Sequence, residues 1–233
     1  MKYILSLEQS ISLLDYLIDS EAVEIVPEPN KHRVIIQIEP NSAVFKLPWC
    51  LPLLPATEDL KNYRDKPHSE CPLNLIVLIQ AGYASLGITS TGTFREHKVI
   101  QKYMVRKKQG KAQITYLNKK GKSRAGSRIR LAQTVEFFEE INERINHWTG
   151  QYDVNRILIS CTERLWGMLY QSKIKPPFQK KDQRILRIPV NVHRPTFAEL
   201  RRINYLSQQG EVSYSDACNP VFLNQFSADW KTE

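Results

Sequence analysis

Cations crowd around Gln113 in Arg106-Lys107-Lys108-Gln109-Gly110-Lys111-Ala112-Gln113, followed closely by Lys119-Lys120-Gly121-Lys122-Ser123-Arg124-Ala125-Gly126-Ser127-Arg128-Ile129-Arg130. From Lys98 to Val135 there is no Asp or Glu. Like charges in one connection repel and hold it extended until a polyanion neutralises them, so a loop that orders on RNA is expected here. Gly110, Gly121 and Gly126 add the backbone freedom such an adjustment needs. The expected RNA contacts are Arg106, Lys107, Lys108, Gly110, Lys111, Lys119, Lys120, Lys122, Arg124, Arg128 and Arg130.

The chemistry open to Gln113 is narrow. Its carboxamide offers an acceptor and two donors but takes no proton near neutral pH, so it can orient a water at an ester or a ribose hydroxyl beside a phosphate. Neighbouring Lys and Arg can stabilise the charge of a phosphorane. A segment without carboxylates suits neither a two-metal nuclease nor a glycosidase-like reaction, and GxxxxGK[ST] is absent. Cys50, Cys71, Cys161 and Cys218 are scattered, without CxxC spacing or a nearby histidine, so no metal and no cofactor is expected. The bland alternative is a solvated basic loop that binds RNA non-specifically. His97 and His193 have the right pKa range for acid/base work, although an ordinary hydrogen-bonded histidine is the better reading of both. Arg194 is expected to position the last helix or touch RNA. Trp166 can stack a base, whereas Trp148 fits a helical core stripe.

These residues need a scaffold, and the composition provides for one. The chain has 233 residues, of which 42% are apolar and 24% charged, so it should fold around a sizeable core. A net charge of +9 favours a polyanionic partner. No apolar run reaches membrane-spanning length and no secretory leader pattern opens the chain, so no membrane and a cytoplasmic location are expected.

Three regions are expected: an accessory N-terminal region over 1–70, a main domain over 71–208 and a tail over 209–233. Ser6-Leu7-Glu8-Gln9 opens a short helix through Leu13, Leu14 and Leu17, and strands are expected at Ala22–Val26 and His32–Ile38. Prolines at 48, 52, 55, 67 and 72 suit an irregular connection. Leu75–Ile79 then reads as a strand buried on both faces. Gly82 separates it from Tyr83–Ile88, and Phe94–Val105 completes an antiparallel meander. Leu131, Val135, Phe138, Ile141, Ile145 and Trp148 recur at helical spacing. Arg156–Cys161 reads as a buried strand, Arg164–Tyr170 as a short helix or further strand, and Arg184–Val190 as an edge strand ending at Pro189. A last helix opens with a capping box at Thr196-Phe197-Ala198-Glu199, with Phe197, Leu200 and Ile203 as its buried stripe. The order is mixed α/β. After Gly210 no periodicity is left to read.

Three ordered matches give the main domain a family resemblance. They are Gly82-Tyr83 with His97-Lys98 and Tyr103-Met104-Val105-Arg106 before Gly110-Lys111-Ala112-Gln113; Ala125-Gly126 with Ile129-Arg130; and Ile188-Pro189 with Arg194-Pro195-Thr196-Phe197 and Glu199-Leu200. From about Leu75 to Leu206 the chain resembles the release-factor domain of VMS-like stalled-ribosome factors. That group includes the ankyrin-repeat and zinc-finger peptidyl-tRNA hydrolase and is related to the catalytic domain of eukaryotic-type peptide release factors. The resemblance implies an α/β, RNase H-like domain with a mixed sheet and packed helices, in a stand-alone bacterial form. It implies a metal-independent enzyme, a monomer, that frees nascent chains from peptidyl-tRNA on the large ribosomal subunit and its rRNA. It places Gln113 at the family's functional glutamine. Lys111-Ala112 replaces one glycine of the usual Gly-Gly-Gln and inserts a residue, which weighs against ester hydrolysis by the ordinary release-factor geometry. Both chemistries stay open, with cleavage near the tRNA CCA end slightly preferred. The alternatives are a non-catalytic tRNA or ribosome binder and a general metal-independent endoribonuclease.

Overall fold

Hydrophobic periodicity and capping act together from the first helix of the chain. The structure, a computed structural model, describes residues 2–20, 23–38, 41–55, 63, 72–104 and 122–214, and of residues 38, 41 and 122–130 the backbone alone. The chain divides into one unit of residues 1–72 with 205–233 and another of residues 73–204.

In the first unit, Ser6 caps helix α1 (Leu7–Asp19): its hydroxyl accepts from Gln9 N–H, and the Gln9 side chain accepts from Ser6 N–H. The strands are β1 (Lys2–Leu5), β2 (Glu24–Glu28), β3 (Arg33–Ile38), β4 (Asn41–Lys46) and β10 (Gly210–Tyr214), in the antiparallel order β1-β10-β4-β3-β2. Leu13, Leu14 and Leu17 of α1 join Val34, Ile36, Phe45 and Val212 in one core. The stretch beyond Gly210, unreadable from periodicity, therefore supplies a strand between β1 and β4. β1 and β4 were likewise not foreseen.

In the second unit, β5 (Leu73–Gln80), β6 (Tyr83–Ser90) and β7 (Thr93–Gln101) form the expected antiparallel meander. β8 (Arg156–Ser160) pairs parallel with β5, and β9 (Ile185–Arg187) pairs parallel with β8 at the sheet edge, giving the mixed order β7-β6-β5-β8-β9. Beyond β9, Pro189 has no N–H with which to prolong the ladder. Helices α2 (Lys122–Gln151) and α3 (Glu163–Gln171) share a core with the odd-numbered residues of β5: Phe137, Phe138, Ile141, Ile145 and Trp148 pack with Leu75, Val77 and Ile79. Helix α4 (Phe197–Ser207) brings Leu200 against Gly87 of β6, where a Cβ would stand 3.1 Å from the leucine methyl.

Several local expectations are corrected. Leu131 and Val135 are 67% and 48% exposed, while Phe137 takes a place in the core. The periodicity of α2 runs on past the point where the helix has a sheet to cover. Of the two readings of Arg164–Tyr170 the helix holds: the segment falls within α3, capped by the Thr162 hydroxyl. Phe197 is 38% exposed because it lies on the His97 ring rather than in the core of Leu200 and Ile203. The Thr196 hydroxyl does accept from Glu199 N–H, at 3.2 Å, but the Glu199 carboxylate reaches past the cap to His193.

Candidate functional site

Because β5, β8 and β9 run parallel, their carboxyl ends open on one end of the second unit's sheet, where loops can gather polar groups around a ligand. β5 turns back through Ala81 and Gly82, and Tyr83 pairs with Gln101. The end of β7, from which the chain departs into residues 105–121, therefore lies at this same end.

Three ties hold that departure point. Lys102 N–H donates to Gly82 O at 3.0 Å, Gly82 N–H points to the Met104 sulfur at 3.1 Å, and Tyr103 N–H donates to Gln133 Oε1 at 3.2 Å. Gly82 has φ +81°, and a Cβ there would stand 2.5 Å from Lys102 O, so the approach requires glycine twice over. The Gln133 contact joins β7 to α2. On the same side Lys102 sits 3.3 Å from Glu140 and 3.6 Å from Glu136, and Lys98 sits 3.8 Å from Glu140. These exposed pairs contribute little individually, but they neutralise the acidic side of α2 against β7. Since α2 starts at Lys122, roughly 16 Å of helix precede Gln133 at about 1.5 Å per residue.

Of the residues singled out from the sequence, Arg106, Lys107, Lys108, Gly110, Lys111, Gln113, Lys119 and Lys120 lie outside the described residues. Lys122, Arg124, Arg128 and Arg130 fall on the opening turns of α2, where the backbone alone is described and no acidic residue stands in the first turn.

Arg194 and His193 belong to this end of the sheet. The Arg194 guanidinium lies 3.9 Å from the centroid of the Tyr83 ring. Gln80, the last residue of β5, donates from Nε2 to Val192 O and to His193 O, both at 3.1 Å. Glu199 Oε1 accepts from His193 N–H at 2.8 Å and lies 3.5 Å from its Nδ1, while the imidazole itself is 69% exposed. Arg202 grips both oxygens of Glu199 at 3.0 and 2.7 Å. The Arg202 hydrogen bond is the main reason the Glu199 carboxyl is held below its ordinary range, with His193 N–H assisting against the opposing effect of burial.

The other candidates are set in packing. His97 lies in β7 with its ring 4.3 Å from that of Phe197. Trp148 is buried in the core and offers no face to a base. Trp166 is also buried, with the Arg187 guanidinium 5.3 Å from its ring. Burial pushes the Cys161 thiol up to about 11, against the pull of Arg187, which leaves it an inert neutral thiol. Among the described residues no three His, Cys, Asp or Glu side chains gather as a metal site, and no helix is long and apolar enough to cross a membrane.

Tyr83, Gln80 and Gln133 were not weighed as site residues from sequence. Tyr83 and Arg194 occur in the motif matches, but only the fold brings them into contact.

Known proteins resemble this chain. The family model described as Bacteroidetes VLRF1 release factor matches residues 74–214. The tRNA endonuclease ANKZF1 of Homo sapiens is 24% identical over 176 residues, covering 74% of this chain and 24% of the human protein. Its Mus musculus counterpart is 22% identical over 160 residues, covering 67% of this chain and 21% of the mouse protein. The chain thus spans less than a quarter of the length of the curated relatives it matches. A solved structure called Vms1 mitochondrial localization core aligns with a TM-score of 0.45 at 14% identity, over 87% of this chain and 80% of that one.

Proposed function

This chain belongs to the Bacteroidetes VLRF1 release factor family, and from that premise we propose that it frees nascent chains from peptidyl-tRNA on stalled large ribosomal subunits. The domain of residues 71–208 carries the activity, the region 1–70 is accessory, and the protein works in the cytoplasm as a monomer without a metal or other cofactor.

The observation that carries this reading is a coincidence of charge and topology. The carboxylate-free stretch from Lys98 to Val135 leaves β7 at the same end of the sheet as the carboxyl end of β5, and returns through α2, whose Gln133 meets Tyr103 there. Four of its cations, Lys122, Arg124, Arg128 and Arg130, fall on the opening turns of α2, whose N-terminus the helix dipole already makes partially positive. That arrangement is unfavourable for an isolated helix and favourable for one whose N-terminus meets phosphates.

In the mechanism we favour, Gln113 orients a ribose 2′-hydroxyl near the CCA end of the tRNA. The hydroxyl oxygen attacks the adjacent phosphorus, the 5′-oxygen of the next nucleotide leaves with a proton, and a 2′,3′-cyclic phosphate remains on the shortened tRNA. The hydroxyl's own proton is released to solvent. Arg106, Lys107, Lys108, Lys111, Lys119, Lys120, Lys122, Arg124, Arg128 and Arg130 bind the RNA and stabilise the phosphorane, with Gly110 allowing the close approach. The name tRNA endonuclease borne by the human and mouse relatives supports cleavage over ester hydrolysis.

Mapping the RNA 3′ end after reaction with peptidyl-tRNA on stalled large subunits tests this. A shortened tRNA ending in a cyclic phosphate is expected. An intact CCA end with free peptide would instead mean ester hydrolysis, scattered cuts in unrelated RNA would mean a general endoribonuclease, and binding without product would mean a non-catalytic partner of the ribosome.

A further inference from the structure

We propose that the cation–π pair Tyr83–Arg194 is a binding platform for an unpaired nucleobase of the RNA end on which this domain acts. The inference rests on the RNA-processing reading above and adds a base-binding site to it.

A guanidinium is planar and weakly hydrated, so with one face on a tyrosine ring its other face is suited to receive a base. Arg194 is exposed, and its guanidinium is 3.9 Å from the Tyr83 ring centroid. The neighbouring cations behave differently. Arg187 pairs with Glu163 at 2.8 Å, Arg202 with Glu199 at 2.7 Å, and Lys102 with Glu140 at 3.3 Å. Among the described residues Arg194 has an aromatic ring and no carboxylate, so its charge is available to a nucleotide.

The backbone that carries Arg194 is held by four hydrogen bonds with side chains. Gln80 holds the carbonyls of Val192 and His193, Glu199 holds the His193 amide, and Arg202 Nη2 donates to Asn191 O at 2.8 Å. Pro195 follows directly and is buried, which narrows the backbone choices of Arg194 further. Tyr83 is fixed in turn by its pairing with Gln80 and Gln101. An aromatic ring and a guanidinium set in place beforehand lose little freedom on binding. The position is also appropriate. Gly82, adjacent to Tyr83, is tied to Lys102 and Met104 at the point where the basic segment departs. A base held on Arg194 would therefore be presented beside that segment.

Fluorescence anisotropy with the full chain tests the proposal, using a labelled single-stranded RNA hexamer and an abasic ribose-phosphate hexamer at one salt concentration. The unmodified protein is expected to prefer the base-bearing hexamer about five- to tenfold, as one stacked base would provide. Arg194→Lys keeps the charge but not the plane, and should abolish the preference. Tyr83→Leu should abolish it too, and Tyr83→Phe should restore it, with circular dichroism confirming that each variant is folded. Equal binding of the two hexamers by the unmodified protein, or a preference retained by Arg194→Lys, would overturn the platform. A base preference in a protein that yields no product from stalled subunits would sink the release reading and leave the platform standing. Product without base preference would do the reverse.

Discussion

Tyr103 and Gln133 are joined by a hydrogen bond from backbone N–H to Oε1, 3.2 Å long, that ties the end of β7 to helix α2. The two residues flank the basic segment, one before and one after it. Its ends are thus held at one place in the fold, and Gly82 secures the first of them from the other side.

Gly82→Ala tests that anchorage. The substitution places a Cβ at φ +81° against Lys102 O, so a loss of about 2 kcal/mol or more is expected from strain at a special backbone position. Denaturant unfolding would measure it, and a change within about 0.5 kcal/mol would mean that the turn readily relaxes.

The two ends of the α2 stripe should separate by mutation. Ile145→Ala empties a fully buried position and should cost about 2–5 kcal/mol, whereas Leu131→Ala, at 67% exposure, should change stability by less than about 0.5 kcal/mol. Equal losses at both would show that Leu131 is covered in solution.

That contrast marks where the sequence was legible. The capping box at Ser6 and Gln9 is local, and the run Leu75–Ile79 between turn residues can hardly be anything but a buried strand, so α1 and the meander were readable. The pairing of Lys2–Leu5 with Gly210–Tyr214 joins strands far apart in the sequence, and no short-range pattern encodes it. Leu131 and Val135 keep perfect helical spacing, yet periodicity does not say where the facing sheet stops. At the candidate site, charge and motif order pointed to residues 106–130, which lie outside the described residues or are described by backbone alone. The contact of Arg194 with Tyr83 depended on β5, β6 and the 188–195 segment meeting at one sheet end, which the sequence does not encode locally.

Acid should weaken the support beneath Arg194. The Glu199 carboxyl is held below its ordinary value of 4.5, so its contribution to stability is fully present above that pH and fades as pH falls through the lower folded-state value. Glu199→Gln should therefore destabilise the protein by about 1–2 kcal/mol near neutrality, with the gap from the unmodified protein closing below about pH 4.5. Unfolding measured across pH 3–8 checks this, and a pH-independent gap would contradict it.

Salt should oppose RNA binding. Replacing Lys107, Lys108, Lys119 and Lys120 with Gln should weaken RNA binding and flatten its dependence on salt, by roughly 0.7 per lost contact in a log–log plot for a single strand. An unchanged slope would remove these lysines from the interface.

The most direct test compares the unmodified protein with Gln113→Ala on stalled large subunits carrying labelled peptidyl-tRNA, following co-sedimentation and release together. The expected result is that Gln113→Ala still binds the subunits but releases no peptide and shortens no tRNA, while the unmodified protein does both. Undiminished turnover by Gln113→Ala would contradict the account.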